Sequence, residues 1–409
     1  MMCAVRRLLL PLVVSAALGA VLGMPLVGGA PGVAAADAAT APGPAVHTLV
    51  GPGALDAPAG LALDSSGDLF VADSGHCRIA VVPSRSSSFD GQRLRPGRAT
   101  TLVGGSCHGP RSIGHPTGLA VDAKGDVFIA EATAQRVQVV RPGTHPTAVT
   151  VAGTGRAGFS GNGQPAVDSE LDQPTAVAVD GSGDLFIADT ANCLVRAVPA
   201  QNTTLFGVAM TVGGLYTVAG VRVCGSAGQG GPTPAAELWN PVAVALDGAG
   251  DLVVADRGDQ SVLVAAAHGG TFWGTAVESG HIGVVVGGTG SYGPYLADGL
   301  SATGGTAELN DPRGLAVGPT GVLYVTDGFM HAVRAVPSSD GTLFGRSVKG
   351  GDLYTLAGAV PVSTGGAAGN GTHWTLTHVD TPSGIVVSGS GNVVFDDAAL
   401  GSVSMVAGP

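Results

Sequence analysis

The sequence predicts an all-β fold: a six-bladed β-propeller of four-stranded antiparallel blades, closed by the N-terminal strand. Three observations predict it. A segment beginning at proline returns six times without a gap. Each return carries two alternating apolar runs around a glycine turn. The chain opens with a strand of the kind that its last unit lacks.

The six segments are PAGLALDSSGDLFVAD from Pro58, PTGLAVDAKGDVFIAE from Pro116, PTAVAVDGSGDLFIAD from Pro174, PVAVALDGAGDLVVAD from Pro241, PRGLAVGPTGVLYVTD from Pro312 and PSGIVVSGSGNVVFDD from Pro382. Self-similarity at such spacing marks a ring or array of repeats and must be read before any local pattern. In the first copy Leu61 and Leu63, then Leu69 and Val71, alternate with other residues. That period of two is a strand signal. Between the two runs Gly67, Gly125, Gly183, Gly250, Gly321 and Gly391 hold one offset. A glycine there suits a turn position with positive φ. A third strand follows each hairpin, as CRIAVVP from Cys77 or AVRAVP from Ala332. A shorter fourth follows that, as TLVGG from Thr101 or YTLAG from Tyr354. Four antiparallel strands in each of six units is a propeller plan. His47–Gly51 is a fourth-type strand at the front, and Ser402–Ala407 a third-type strand at the end. Pairing them completes blade six and removes an open strand edge.

Composition sets the setting. Of 409 residues 68 are glycine, 45% are hydrophobic and only 12% are charged, which fits many short strands joined by tight turns. Residues 1–36 read as a signal peptide. Arg6 and Arg7 supply the positive start, Leu8 to Leu22 the apolar run, and Ala34-Ala35-Ala36 the small-residue cleavage site. An uncleaved membrane anchor is the alternative. Residues 37–46 read as a flexible linker and 47–409 as the propeller. Cleavage removes Arg6 and Arg7 and no acid, so 19 basic residues become 17 against 30 acidic ones, a net charge of −13. An acidic chain without basic clusters excludes nucleic acid as a partner and disfavours anionic membranes. The chain is expected in the cell envelope or outside the cell, as a monomer, with no membrane insertion once the leader is gone.

The elements P-x-G-[LIV]-A-[VL]-D, G-[DN]-[LV]-[FY]-[VI]-A-D and R-[IV]-x-[VA]-V-x-P resemble those of NHL-repeat propellers. The link GTGRAGFSGNGQPAVDSELDQP from Gly153 and the segments LFGVAMTVGGLYTVAG and LFGRSVKGGDLYTLAG are similar to the bacterial and teneurin-type subgroup. The usual Asn-x-Arg after the second strand is incomplete. Arg78 and Arg136 match its arginine and Asn192 its asparagine, but Leu194, Ser261, Ala332 and Ser402 stand at the other arginine positions. The resemblance implies a fold and leaves activity open. RNA-binding members carry basic faces, which this chain lacks.

Four cysteines follow the leader, and an even count in an exported chain points to disulfides. Cys77 and Cys193 start third strands, while Cys107 and Cys224 lie just past the fourth strands of the same blades. Those strands run antiparallel, so the expected pairs are Cys77–Cys107 and Cys193–Cys224.

Strand direction brings the fourth-to-first and second-to-third connections to one face. The acids Asp73, Glu131, Asp189, Asp256, Asp327 and Asp397 share one offset there and form a ring. A position filled in every blade reads as structural, each carboxylate taking backbone N–H groups from its own turn. The competing reading is a cation or polar-ligand site at the channel mouth. Histidines break the symmetry and are the candidate ligand or metal residues: His76 and His331 in second-to-third connections, His115 before blade two. Propeller lyases and lactonases resemble this architecture and hold a divalent metal with such groups. No cofactor motif is present, so a divalent cation is the one cofactor this alternative brings. Trp239 and Trp273 read as packing residues. The long third-to-fourth connections of blades three to five read as hairpin extensions able to form a partner surface. The expected function is therefore a non-catalytic binding module for a protein or cell-envelope component. A metal-dependent lyase or hydrolase and a structural envelope protein are the alternatives.

Overall fold

The computed structural model describes residues 46–89, 92–107, 112–141, 146–288, 298–303, 308–358 and 379–408. The proposed leader, nearly all of the linker and His108, a further histidine that the sequence places with His115 in the loop before blade two, lie outside them. Over these residues the chain is a ring of six antiparallel sheets. The first strands are Pro58–Leu63, Pro116–Val121, Pro174–Val179, Pro241–Leu246, Pro312–Val317 and Ile385–Val387. They line the centre and touch in ring order, the sixth returning to the first. Second, third and fourth strands follow outward in each blade, as Leu69–Asp73, Arg78–Val82 and Thr100–Gly104 do in blade one.

Blade six closes as the chain ends predict. Val46–Val50 pairs antiparallel with Ser402–Val406, with Val46 opposite Val406 and His47 opposite Met405. The strand begins at Val46, one residue earlier than expected. A bulge interrupts the pairing between Thr48 and Val50, and a register shift recurs where third and fourth strands meet in the other five blades.

Local chemistry explains the repeat. Proline cannot donate to a ladder, and in blades one to five the register shifts immediately after the leading proline. The six turn glycines have φ between +78° and +90°. Gly60 allows the first strands to approach: a Cβ there would lie 2.5 Å from the Thr117 carbonyl oxygen. The apolar core sits between sheets rather than inside one. Six clusters of buried residues occupy the six seams, such as Phe70, Ala72 and Ile79 against Leu119, Val127 and Ile129 between blades one and two.

Both expected disulfides are present. Cys77 and Cys107 have Cα atoms 5.1 Å apart, Cys193 and Cys224 5.4 Å. Cys77 and Cys193 occupy a left-handed position that precedes the third strand in every blade, shared with Gln135, Gln260, His331 and Gly401.

The expected hairpins form at Thr203–Leu205 with Val208–Met210, Gly270–Phe272 with Thr275–Val277, and Gly341–Leu343 with Arg346–Val348. Their tips, Phe206-Gly207, Trp273-Gly274 and Phe344-Gly345, have positive φ at both residues, the condition of a type I′ turn. The tip aromatics face inward. Phe206, Trp273 and Phe344 are buried against the following blade, and Trp273 Nε1 donates to the Gly321 carbonyl at 2.9 Å. Blade one carries a fourth hairpin, Ser87–Phe89 with Gln92–Leu94, that the sequence reading missed.

Candidate functional site

The acid ring is built into the blades, not into the channel. Asp73, Glu131, Asp189, Asp256 and Asp327 are fully buried and Asp397 nearly so. Each accepts the backbone N–H of the residue 17 positions earlier: Asp56, Gly114, Asp172, Trp239, Asn310 and Asp380, at 2.7–3.0 Å. These donors lie in the fourth-to-first connection, two residues before the repeat proline. The principal donor is therefore the incoming link, while the carboxylate's own loop adds bonds such as Met330 N to Asp327 and Leu400 N to Asp397.

Counter-charges differ around the ring. Arg78 Nε donates to Asp73 at 2.6 Å and Arg136 Nη2 to Glu131 at 3.1 Å. Arg196 Nη1 reaches Asp189 at 3.2 Å, with Asn192 donating to both oxygens, and both ends of that ion pair are fully buried. Arg196 and the equally buried Arg334 stand two residues further along the third strand than Arg78 and Arg136. Residues two apart share one face of a strand, so the arginine moved along the strand and kept its face. Asp256 has no cation on its carboxylate among the described residues. Burial pushes Asp256, and likewise Asp327, up to about 7.

Asp396 is a further buried acid, found where other blades have alanine or Thr326. Oδ1 accepts Ser383 N, Ser383 Oγ and Gly384 N at 2.8–3.0 Å, while Oδ2 has no hydrogen-bond partner. Burial pushes it up to about 7 as well. These raised values set the sign of a pH effect. An acid held above its unfolded value binds more protons when folded, so its stabilisation is present at low pH and lost as pH rises through 7. A lift from 3.8 to about 7 is on the order of 4 kcal/mol per group. Melting temperature should be higher at pH 5 than at pH 8, and Asp256→Asn or Asp396→Asn should flatten that slope. Equal melting temperatures in wild type would refute the assignment.

The histidines do not come together. His76 Nδ1 lies 3.0 Å from both Asp73 oxygens in blade one. His331, in blade five, bonds the Asp380 carbonyl and lies 3.4 Å from its carboxylate. His115 stands beside the Cys77–Cys107 disulfide, and that trio is the only three-residue cluster of potential metal ligands among the described residues. Its two sulfurs are already bonded to each other.

What breaks the symmetry lies on the same face at blades four and five. A central cavity of about 170 Å³ is lined by the first strands of all six blades. The residue after each repeat proline is part of that lining: Ala59, Thr117, Thr175, Val242, Arg313 and Ser383. Arg313 is the one charged side chain in that lining. Its Nε donates to Asp311 Oδ2 at 2.7 Å, and Arg257 from blade four pairs with Asp311 Oδ1. Gly328 makes the space, since a Cβ there would lie 2.4 Å from Arg313 Nε. Its neighbour Phe329 is 66% exposed. On the other side of Arg257 the Trp239 indole covers Gly258, and Trp239 is 52% exposed rather than packed away as the sequence reading had it. Trp239, Arg257, Asp311, Arg313 and Phe329 thus form a strip in the connections of blades four and five, joined at its centre by the two ion pairs.

Comparison with known proteins agrees with the repeat and the fold. The NHL repeat matches residues 55–82. One curated relative, the chloroplastic protein SUPPRESSOR OF QUENCHING 1 from Arabidopsis thaliana, is 27% identical over 133 residues; the match spans 29% of this chain and 12% of that protein. Among solved structures, a protein of unknown function from Bacteroides thetaiotaomicron aligns over 88% of this chain and 75% of its own, with TM-score 0.55 and 16% identity. An auxiliary nutrient binding protein from the same organism aligns over 88% and 75%, with TM-score 0.53 and 12% identity. A gluconolactonase from Xanthomonas campestris aligns over 89% of each chain, with TM-score 0.51 and 13% identity. At these identities the likeness concerns the fold alone.

Proposed function

We propose that this six-bladed NHL-repeat propeller is an exported, non-catalytic binding module whose ligand face is the strip from Trp239 to Phe329. The observation that carries the reading is the exposure of two large aromatic side chains on one face, beside arginines, while the hairpin-tip aromatics Phe206, Trp273 and Phe344 are buried. Trp and Arg are the residue types that dominate binding hot spots, and exposed apolar patches rimmed by polar groups mark interaction sites. Two disulfides fit an oxidising compartment. Among the described residues no helix is long and apolar enough to cross a membrane. The ring acids act as internal fasteners for the incoming links, His76 is occupied by Asp73, and His331 by Asp380 of the link entering blade six.

A photo-crosslinking residue at position 239 or 329, in protein made by its native host, should give discrete adducts. The same residue in place of Val212, which is exposed in the third-to-fourth connection of blade three, should give none. Equal labelling at all three positions, or none at any, defeats the reading.

A further inference from the structure

Resting on that binding reading, we infer that the strip recognises an extended peptide segment of a partner protein through an acidic side chain set between two apolar ones. Arg257 and Arg313 share one carboxylate, so the strip carries one more positive than negative charge on a chain whose overall charge is −11. Each arginine spends only its Nε on Asp311 among the described residues. The paired Nη groups of both make no hydrogen bond or ion pair among those residues, and the side chains remain 45% and 31% exposed. A guanidinium engaged through Nε still presents its two terminal amino groups as a fork, the geometry that matches a carboxylate. Asp311 holds both forks in place, so little side-chain entropy remains to be lost on binding.

The strip is asymmetric by construction. The position after the ring acid is Ser74 in blade one and Thr190 in blade three, where the hydroxyl bonds the carbonyl of the next blade's leading proline. In blade four that position is Arg257, which reaches Asp311 instead. In blade five it is Gly328, which admits Arg313. Blades two and six carry Ala132 and Ala398 there, so this position varies around the ring, and in blades four and five its residues make one cationic notch.

The cavity and the aromatics decide between a free small anion and a peptide. About 170 Å³ holds a side chain but little more. A small anion in it leaves Trp239 and Phe329 in water. A peptide laid across blades four and five places an acid at Arg313 and covers an aromatic ring on either side.

The test uses the full disulfide-bonded chain, immobilised, with three pools of short random peptides that fix a central Glu, Gln or Lys. The Glu pool should be retained about tenfold over the other two, the factor that about 1.4 kcal/mol carries. Arg313→Gln and Arg257→Gln should erase that preference. Gly328→Ala, which crowds Arg313 without removing it, should weaken it. Phe329→Ser should lower retention of every pool. Equal retention of Glu and Gln pools overturns the acidic specificity while the binding face stands. Retention untouched by Phe329→Ser overturns the face itself. No retention of any pool, or displacement by free glutamate as readily as by peptide, overturns the peptide assignment.

Discussion

Deleting Val46–Val50 should open the ring. The expected loss is roughly 4–6 kcal/mol, from about four ladder positions at ~1 kcal/mol each and burial of Val50 at ~2 kcal/mol. Val50 is 3% exposed and packs with Leu55, Val394 and Val403 at the seam between blades six and one. Without the donated strand, Ser402–Val406 becomes a free edge that can pair with another molecule. Size-exclusion chromatography should show dimers or larger species, and chemical denaturation a lower midpoint. Thr48→Pro probes the same seam with one residue, because it removes a donor within the paired strand. A monomeric deletion variant of unchanged stability would show that five sheets and a fragment suffice, and the role given to the front of the chain would fall.

Asp189→Ala should cost 3–5 kcal/mol, the usual penalty when one partner of a buried ion pair is removed (about that range). Arg196 is fully buried, donates to Ser160 O at 2.9 Å and lies with Arg222 over the Phe159 ring. Losing Asp189 strips it of its counter-charge, leaves the Asp172 N–H without its acceptor and leaves the Asn192 amide with only the Gly158 carbonyl. Asp189→Ala with Arg196→Met should recover part of the loss, since the stranded charge goes too. Asp126→Ala, which removes the partner of the mostly exposed Arg141, should cost under about 1 kcal/mol. Urea titrations of the four proteins measure these differences. An Asp189→Ala variant as stable as wild type but unable to bind would move the ring from fastening to recognition.

The blade count was legible because proline, glycine and the ring acid recur at fixed offsets and each has a backbone reason to do so. The disulfides were legible for the same reason: two cysteines held one left-handed position, two the end of the adjacent strand. The site was much less legible. Arg196 and Arg334 keep the face of Arg78 and Arg136 but shift by two residues, so a search at the fixed arginine position passes over them. Stepping on by two residues from the expected arginine position, Leu194 or Ala332, finds them. Arg257, Gly328 and Arg313 become one feature only when blades four and five are side by side. Trp239 looked like packing because its position was unremarkable, whereas its indole caps Gly258 at the surface. The blade-one hairpin lacks the aromatic-glycine tip that marks the other three.

The way the ring is sealed has a mechanical meaning. Val46 lies directly opposite Val406, so the two ends of the folded chain leave from the same end of one ladder. Tension applied between them does not shear that ladder along its length. It peels the pairs apart one at a time, so each step breaks few hydrogen bonds. The joint that completes the toroid is therefore its natural tear line under load, while blades one and three are additionally laced by covalent sulfur bridges.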